Sequence, residues 1–198
     1  MGRKSLAVER QNQILDAFEQ SIVQHGLDGA TMQRISDAAG VKLSMIPHYF
    51  GNREGLVESM IDRFLTTYQA DFETFLTSFS AEMRLQALLD LYFGDRYSDY
   101  RPQDTVIMTE LMGLAEREPK VKAQLLAIYQ LFEQIFCEEL QRTYPDAEEE
   151  RCQKAAHVIL SIWYGNATFI WLGFDPAQKQ WARETVEMII KGVQSDAN

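Results

Sequence analysis

The sequence predicts an all-α protein, and three observations support this fold class. Apolar residues recur at intervals of three and four along most of the 198-residue chain, which is the period of amphipathic helices. No segment has the pattern of a strand, and none is repeated or of low complexity. Helix caps and stops, such as Gly40 and Pro119, punctuate the apolar segments. We therefore expect about nine helices, with an N-terminal three-helix head over residues 1–52 and a helical body over residues 53–198.

The first helix is expected over Ala7–His25, ended by Gly26. Its apolar stripe would close a three-helix core, and it consists of Ile14, Leu15, Phe18 and Ile22, with Leu27 just beyond.

The next two helices are short and are joined by a glycine turn. Thr31 can cap the second helix, because its hydroxyl accepts a hydrogen bond from the first turn. Gly40 stops it, since glycine adopts a left-handed backbone without penalty. Two such helices form a helix-turn-helix, whose second helix can enter the major groove of DNA. By spacing alone, a helical hairpin that binds nothing fits equally well.

Pro47 fixes where the third helix begins. Proline lacks an amide hydrogen and crowds the carbonyl four residues earlier, so it breaks a helix interior but is harmless in the first turn. The third helix is therefore expected to start at Ser44, within one residue and capped by that serine, after an extended turn over residues 40–43.

The segment that follows resembles a known family signature. Residues 48–56, His-Tyr-Phe-Gly-Asn-Arg-Glu-Gly-Leu, look like the end of the DNA-binding head of the TetR family. The same resemblance includes Gly26, Ala30, Thr31, Ile35, Ala39, Gly40, Val41 and Ile46. It is specific over about residues 10–60 and architectural beyond them. Within the family, residues 45–50 look most similar to the choline-responsive members.

The resemblance implies a cytoplasmic homodimeric repressor that leaves palindromic double-stranded operator DNA when a small-molecule effector binds the body. Phosphate contacts are implied for Thr31, Tyr49 and Arg53. The implied groove-facing residues are Gln33, Lys42, Ser44, Met45, Pro47 and His48. Met45 and Pro47 depart from the small hydroxyl or aromatic residues common in the family, and they offer only apolar contact, for example to a thymine methyl. Tyr49 could instead simply pack beside Phe50.

The net charge of −10 is unevenly distributed. Residues 1–55 hold six basic and six acidic side chains, so the remaining residues account for all of the net charge. Arg3, Lys4, Lys42 and Arg53 are expected around the docking face. Because the acidic body repels DNA, binding through the head should depend strongly on salt.

Six body helices are expected, beginning with one that is capped by Asn52. Their predicted ranges are Arg53–Phe79, Ala81–Phe93, Thr105–Arg117, Pro119–Thr143, Ala147–Leu172 and Pro176–Gln194. Asp146 with Glu149 resembles a capping box, and Asp175 before Pro176 repeats that logic. A polar loop over Asp95–Asp104 is the main break in the body.

Aromatic residues are abundant in the body and could line an effector cavity. The candidate effector residues are Tyr129, Phe132, Phe136 and Trp163, together with the carboxylates Glu110 and Glu133. Aromatic faces with carboxylates suit a cationic ligand through cation–π contact. For most of these aromatics, core and dimer packing is the simpler interpretation, and Glu133 could equally face water.

Val158–Phe174 is almost wholly apolar, but it contains Asn166 and lacks a basic flank, which disfavours a membrane span. A helix that is apolar all round must be covered, and a second copy would supply the cover. We therefore expect a dimer through the last two helices, using Trp163, Tyr164, Gly165, Phe169 and Trp171.

No motif for catalysis, phosphate binding or metal binding is present, so no enzyme activity, catalytic residue, metal or cofactor is expected. His25, His48 and His157 lie far apart in sequence, and His157 fits a core or interface position better than a ligand position.

Cys137 and Cys152 are expected to be free thiols in a reducing cytosol, and no signal-peptide core is found at the N-terminus. The alternative function is a helical small-molecule-binding protein that does not bind DNA.

Overall fold

A computed structural model describes residues 3–94 and 102–194, with side chains for residues 6–94 and 103–193. All regular structure in these residues is helical, which confirms the all-α prediction. The α-helices are α1 (Arg3–Gly29), α2 (Met32–Ala39), α3 (Met45–Phe50), α4 (Arg53–Thr77), α5 (Arg84–Phe93), α6 (Pro102–Ala115), α7 (Pro119–Thr143), α8 (Glu149–Trp171) and α9 (Gln178–Gln194), with a 3₁₀ turn at Ala81–Met83.

Helix α1 begins earlier than predicted and is broken at Gly26. The backbone there has φ 71° and ψ 169°, a region essentially restricted to glycine, and one further turn follows before Gly29. The predicted stop at Gly26 is thus a sharp change of direction within α1.

The turn between α2 and α3 follows the predicted chemistry. The Thr31 hydroxyl accepts from the amide of Arg34 at 3.3 Å, which confirms the cap of α2. Gly40 adopts φ 63° and ψ 33°, and the amide of Val41 donates to the carbonyl of Ser36 at 3.0 Å. This pairing is a Schellman motif, which requires the left-handed glycine.

Helix α3 begins at Met45, within one residue of the predicted start, and Pro47 is its third residue. Ser44 occupies the cap position, but its side chain makes no capping hydrogen bond, so that part of the prediction is wrong. Its backbone is already helical (φ −64°, ψ −15°), whereas a capping serine has an extended backbone. Helix α4 is capped as predicted, because the amide of Gly55 donates to Asn52 Oδ1 at 2.8 Å.

Two body helices begin later than predicted. Pro145 and Asp146 form a turn, and α8 starts at Glu149 with Glu148 at its cap, so the capping box at Asp146 is wrong. Before α9, Asp175 Oδ1 accepts from the amide of Ala177 at 2.9 Å, and this turn delays the regular helix to Gln178. Of the predicted loop Asp95–Asp104, residues 95–101 lie outside the described residues and 102–104 belong to α6.

The chain forms two compact units. One comprises Met1–Tyr68 with Arg101–Ile128, and the other comprises Gln69–Tyr100 with Tyr129–Asn198. The core of the first unit includes Ile14, Phe18, Ile35, Ile46 and Leu56, all without solvent exposure. This division falls within α4 and α7, so the functional boundary predicted after residue 52 stays a prediction.

No described helix combines the length and apolarity needed to cross a membrane.

Candidate nucleic-acid interface

The short helix α3 has one buried and one exposed face. Ile46 is fully buried and anchors the helix to the core of the first unit, while Pro47 and His48 on the opposite side are exposed. The His48 ring meets Tyr49 edge-on at 5.1 Å between ring centroids. Tyr49 is half-buried, and its ring centroid lies 6.4 Å from that of Phe50. The exposed edge of α3 is therefore chemically mixed, with an apolar proline, an imidazole and a phenol.

The turn before α3 extends this exposed edge. Lys42 and Ser44 are exposed, and Met45 is partly exposed. Leu43 is 46% exposed, although the sequence did not single it out. The sequence could have indicated this exposure of Leu43, because an apolar residue in the turn does not lie on the buried face of either helix. We add Leu43 to the candidate interface.

Helix α2 contributes two further candidates. Thr31 and Gln33 are both exposed, and Gln33 Nε2 donates to Asp37 Oδ1 at 2.8 Å along the helix. That hydrogen bond orients the Gln33 amide on the surface of α2. The exposed hydroxyl of Thr31 caps the helix as an acceptor and retains a proton that it can donate.

Arg53 has an internal role that sequence reasoning missed. Its Nη1 donates to the carbonyl oxygen of Ala30 at 2.6 Å, and its Nη2 donates to the carbonyl oxygen of Leu27. The guanidinium also lies over the ring of Phe18, with 5.8 Å between Cζ and the ring centroid. Arg53 therefore links the start of α4 to the end of α1, and its predicted phosphate contact would use its remaining N–H groups.

The side chains of Arg3 and Lys4, which are expected around this face, lie outside the described residues.

In the second unit, four of the predicted effector residues join one aromatic cluster. Tyr92 lies at its centre, with ring centroids 5.0 Å from Trp163, 5.1 Å from Phe136 and 6.3 Å from Phe132. Tyr129 contacts Phe132 at 6.2 Å. The rings meet mostly edge to face, which is a favourable packing geometry for buried aromatics. In the sequence, Tyr92 is one aromatic residue among many, and nothing local marks it as the centre of this cluster.

The two predicted effector carboxylates belong to different units. Glu133 belongs to the second unit, where Oε2 lies 3.4 Å from His157 Nδ1 in a partly exposed pair. Glu110 belongs to the first unit, where Oε2 accepts from the backbone amide of Leu27 at 2.9 Å. Glu110 Oε2 is thus engaged by α1, and the assignment of Glu110 to the effector site stays a prediction.

The predicted dimer residues divide between the interior and the surface. Trp163 is 7% exposed and buried in the aromatic cluster, so its assignment to a dimer surface is corrected. Tyr164, Phe169 and Trp171 are exposed, and a Cβ added at Gly165 would meet nothing within 4 Å. The uncovered surface extends further than predicted, to Leu172, Phe174, Trp181 and Met188. Among the described residues, nothing covers this part of α8 and α9.

Burial raises the pKa of the thiols of Cys137 and Cys152, which disfavours the reactive thiolate. Both cysteines are free thiols. Among the described residues, no three His, Cys, Asp or Glu side chains are grouped as they would be in a metal site.

Comparison with known proteins places the head in a recognised family. Residues 14–60 match the model of bacterial regulatory proteins of the tetR family. The transcriptional regulator BetI of Escherichia coli is 36% identical over 90 residues, covering 43% of this chain and 46% of that protein. BetI of Serratia proteamaculans is 27% identical over 164 residues, covering 80% of this chain and 81% of its own length. The match to the Escherichia coli protein thus spans about half of that protein's length.

Solved structures share the fold along nearly the whole chain. A TetR transcription regulator from Haloarcula marismortui has a TM-score of 0.79 at 18% identity, covering 94% of this chain and 98% of its own. A transcriptional regulator from Saccharomonospora viridis in complex with choline has a TM-score of 0.78 at 13% identity, covering 93% and 96%. The family match alone contains every candidate interface residue from Thr31 to Arg53.

Proposed function

We propose that this chain, whose head matches the tetR family of bacterial regulatory proteins, is a ligand-responsive repressor that binds operator DNA through α3. One observation carries the proposal: an exposed edge, from Lys42 to Tyr49, runs along the turn and the second helix of a helix-turn-helix within the matched residues. A helix in this position can enter the major groove with its side chains against base edges. Buried Ile46 holds that helix in place from the other side.

The residues of this edge would divide the work of binding. Gln33, Lys42 and Ser44 can form hydrogen bonds to base edges, while Met45 and Pro47 can contact thymine methyl groups. Thr31 and Tyr49 can donate to phosphate oxygens, which fixes the position of the head on the duplex. Base preference would then rest on apolar contacts more than is usual for such helices.

Charge supports binding through the head alone. Residues 1–55 are neutral overall and all of the −10 lies beyond them. DNA would be repelled from the acidic remainder, which restricts binding to the head. Because phosphate contacts made by the head release counterions, association should weaken as salt rises.

The exposed aromatics of α8 and α9 support a homodimer. Phe169, Trp171 and Trp181 are more than half exposed, and a second copy presenting the same surface would cover them. Two heads would then read the two halves of a palindromic operator, with about 34–36 Å, or a multiple of it, between the recognition helices.

For the effector, we propose a small organic cation such as choline. The support is the aromatic cluster around Tyr92 in the second unit, whose ring faces suit a quaternary ammonium group. A structural neighbour was solved in complex with choline. Glu133, partly exposed beside His157, is the carboxylate of that unit that we assign to charge neutralisation.

The test is a gel-shift titration with DNA selected by this protein from a random pool. Binding that weakens with salt and is released by choline, but not by the neutral isostere 3,3-dimethylbutanol, is the expected result. A thermal shift with choline in a protein that selects no DNA would instead favour the alternative of a small-molecule-binding protein without DNA binding.

A further inference from the structure

The break in α1 exposes a backbone amide that a distant side chain satisfies. At Gly26 the ψ of 169° turns the following peptide out of the helical direction. The amide of Leu27 donates instead to Glu110 Oε2 at 2.9 Å, across 83 residues of sequence. The carboxylate lies against Gly26 as well, 3.6 Å from where a Cβ would stand. A charged acceptor makes this a stronger hydrogen bond than the neutral one it replaces.

The carbonyl side of the same peptide segment is held from another helix. Arg53, at the start of α4, donates to the carbonyl oxygens of Leu27 and Ala30. The segment 27–30 is therefore held by two helices. Glu110 of α6 accepts from its first amide, and Arg53 of α4 donates to two of its carbonyl oxygens. Thr31, the cap of α2, follows directly. The direction in which α2 leaves α1 thus depends on these two side chains.

Glu110 borders open space, whereas a core residue would be enclosed. A cavity of about 350 Å³ adjoins it, lined by Leu27, Asp28, Thr109, Gly113 and Glu116 among others. The side of Glu110 that faces this space is therefore not enclosed by neighbouring side chains. The Arg53 hydrogen bonds would remain, so breaking the Glu110 bond would loosen one side of the segment only.

We propose that Glu110 is a positioning residue, which holds α2 and hence α3 in the DNA-binding arrangement through the amide of Leu27. The proposal rests on the function proposed above and adds the element that regulates it. Displacement of α6 would break the Glu110 hydrogen bond and lower affinity for the operator, although Glu110 itself touches no DNA.

The test compares Glu110→Ala, Glu110→Gln and Glu116→Ala in the full chain. Glutamine retains an oxygen that can accept from Leu27, and Glu116 lines the same cavity as an exposed control. Amide hydrogen exchange at Leu27 and affinity for selected operator DNA are measured together with the melting temperature. We expect Glu110→Ala to speed exchange and weaken DNA binding, each about tenfold, with both largely restored in Glu110→Gln and unchanged in Glu116→Ala.

Different outcomes of these measurements test the role of Glu110 and the proposed function separately. Wild-type protein that selects no DNA would overturn both. Wild-type protein that binds DNA while Glu110→Ala binds equally well would overturn the inference alone. A Glu110→Gln variant as impaired as Glu110→Ala in both measurements would also overturn it, because the effect would then follow charge and not the hydrogen bond. If Glu110→Ala fails to fold, the rate of amide exchange at Leu27 in Glu110→Gln still tests the inference. Exchange as slow as in the wild type would support the hydrogen bond to Leu27. Unprotected exchange would overturn it.

Discussion

Arg53 Nη1 donates to the carbonyl oxygen of Ala30 at 2.6 Å, so the first residue of α4 is tied to the residue just before the cap of α2. In Arg53→Ala two carbonyl groups are deprived of a charged donor. We expect the free energy of unfolding to fall by about 1–3 kcal/mol, measured by denaturant titration.

The same variant also tests the phosphate contact of Arg53. If the remaining N–H groups bind phosphate, the slope of log K against log salt should shrink by about 0.9 for each phosphate that a head no longer neutralises. An unchanged slope with reduced stability would assign Arg53 a purely internal role.

Gly26 should tolerate no other residue, for reasons of backbone conformation and not of space. A Cβ there would meet only the Glu110 carboxylate at ordinary contact distances of 3.6–3.8 Å. The positive φ of 71° should make Gly26→Ala cost about 1–3 kcal/mol in unfolding free energy. Gly113→Ala in α6 is the matched control, because nothing lies within 4 Å of its Cβ and the substitution should stabilise the helix by about 0.5–1 kcal/mol. Equal effects of both substitutions would contradict this account.

Pro47 should matter for base preference and little for folding. In the first turn of α3 its missing amide hydrogen has no intrahelical partner to lose. We expect Pro47→Ala to change stability by less than about 0.5 kcal/mol while altering the sequences selected from random DNA. Leu126→Ala, an exposed change on α7, should select the wild-type sequences. A Pro47→Ala variant with unaltered selection would remove Pro47 from the interface.

The exposed aromatics of α8 and α9 should hold the dimer together. Phe169→Ser combined with Trp181→Ser removes two large apolar side chains that are more than half exposed, so it should shift the chain to monomer in sedimentation at micromolar concentration. Leu126→Ser removes an equally exposed apolar side chain elsewhere and should leave the dimer intact. A wild-type chain that sediments as a monomer would refute the dimer outright.

Glu19 should make stability depend on pH. Burial raises the pKa of this carboxyl, and its ion pair with Arg63 offsets only part of that effect. The folded state therefore favours the protonated form, and stability is lost as pH rises from the ordinary value near 4.5 through the folded pKa. Relative to the wild type, Glu19→Gln should gain unfolding free energy between about pH 4 and about pH 7.

The control for this prediction is Asp16→Asn, which alters the exposed partner of the same arginine and should leave the pH dependence that burial of Glu19 produces in place. A Glu19→Gln variant that loses stability toward pH 7 would mean that the Arg63 pair dominates.

Local chemistry predicted the head well. The cap at Thr31, the left-handed Gly40, the start of α3 before Pro47 and the cap at Asn52 each depend on atoms within five residues in sequence. Such interactions join neighbouring residues and need no tertiary contact. The same reasoning failed at Asp146, where a turn stabilised by the Ala147 amide and the Tyr144 carbonyl replaced the expected cap.

The sequence by itself determined that the chain is helical, where its candidate recognition helix lies and which residues of that helix are polar or apolar. Only the tertiary structure decided what Arg53, Glu110 and Trp163 do. Each is polar or amphipathic enough to suit a binding site, and each is instead engaged inside its unit by groups far away in sequence, at Ala30, Leu27 and Tyr92 respectively. The physical reason is that a buried amide or carbonyl must find its hydrogen-bond partner, and a buried ring its packing neighbours, wherever the packed helices bring them near, and sequence spacing does not record that proximity.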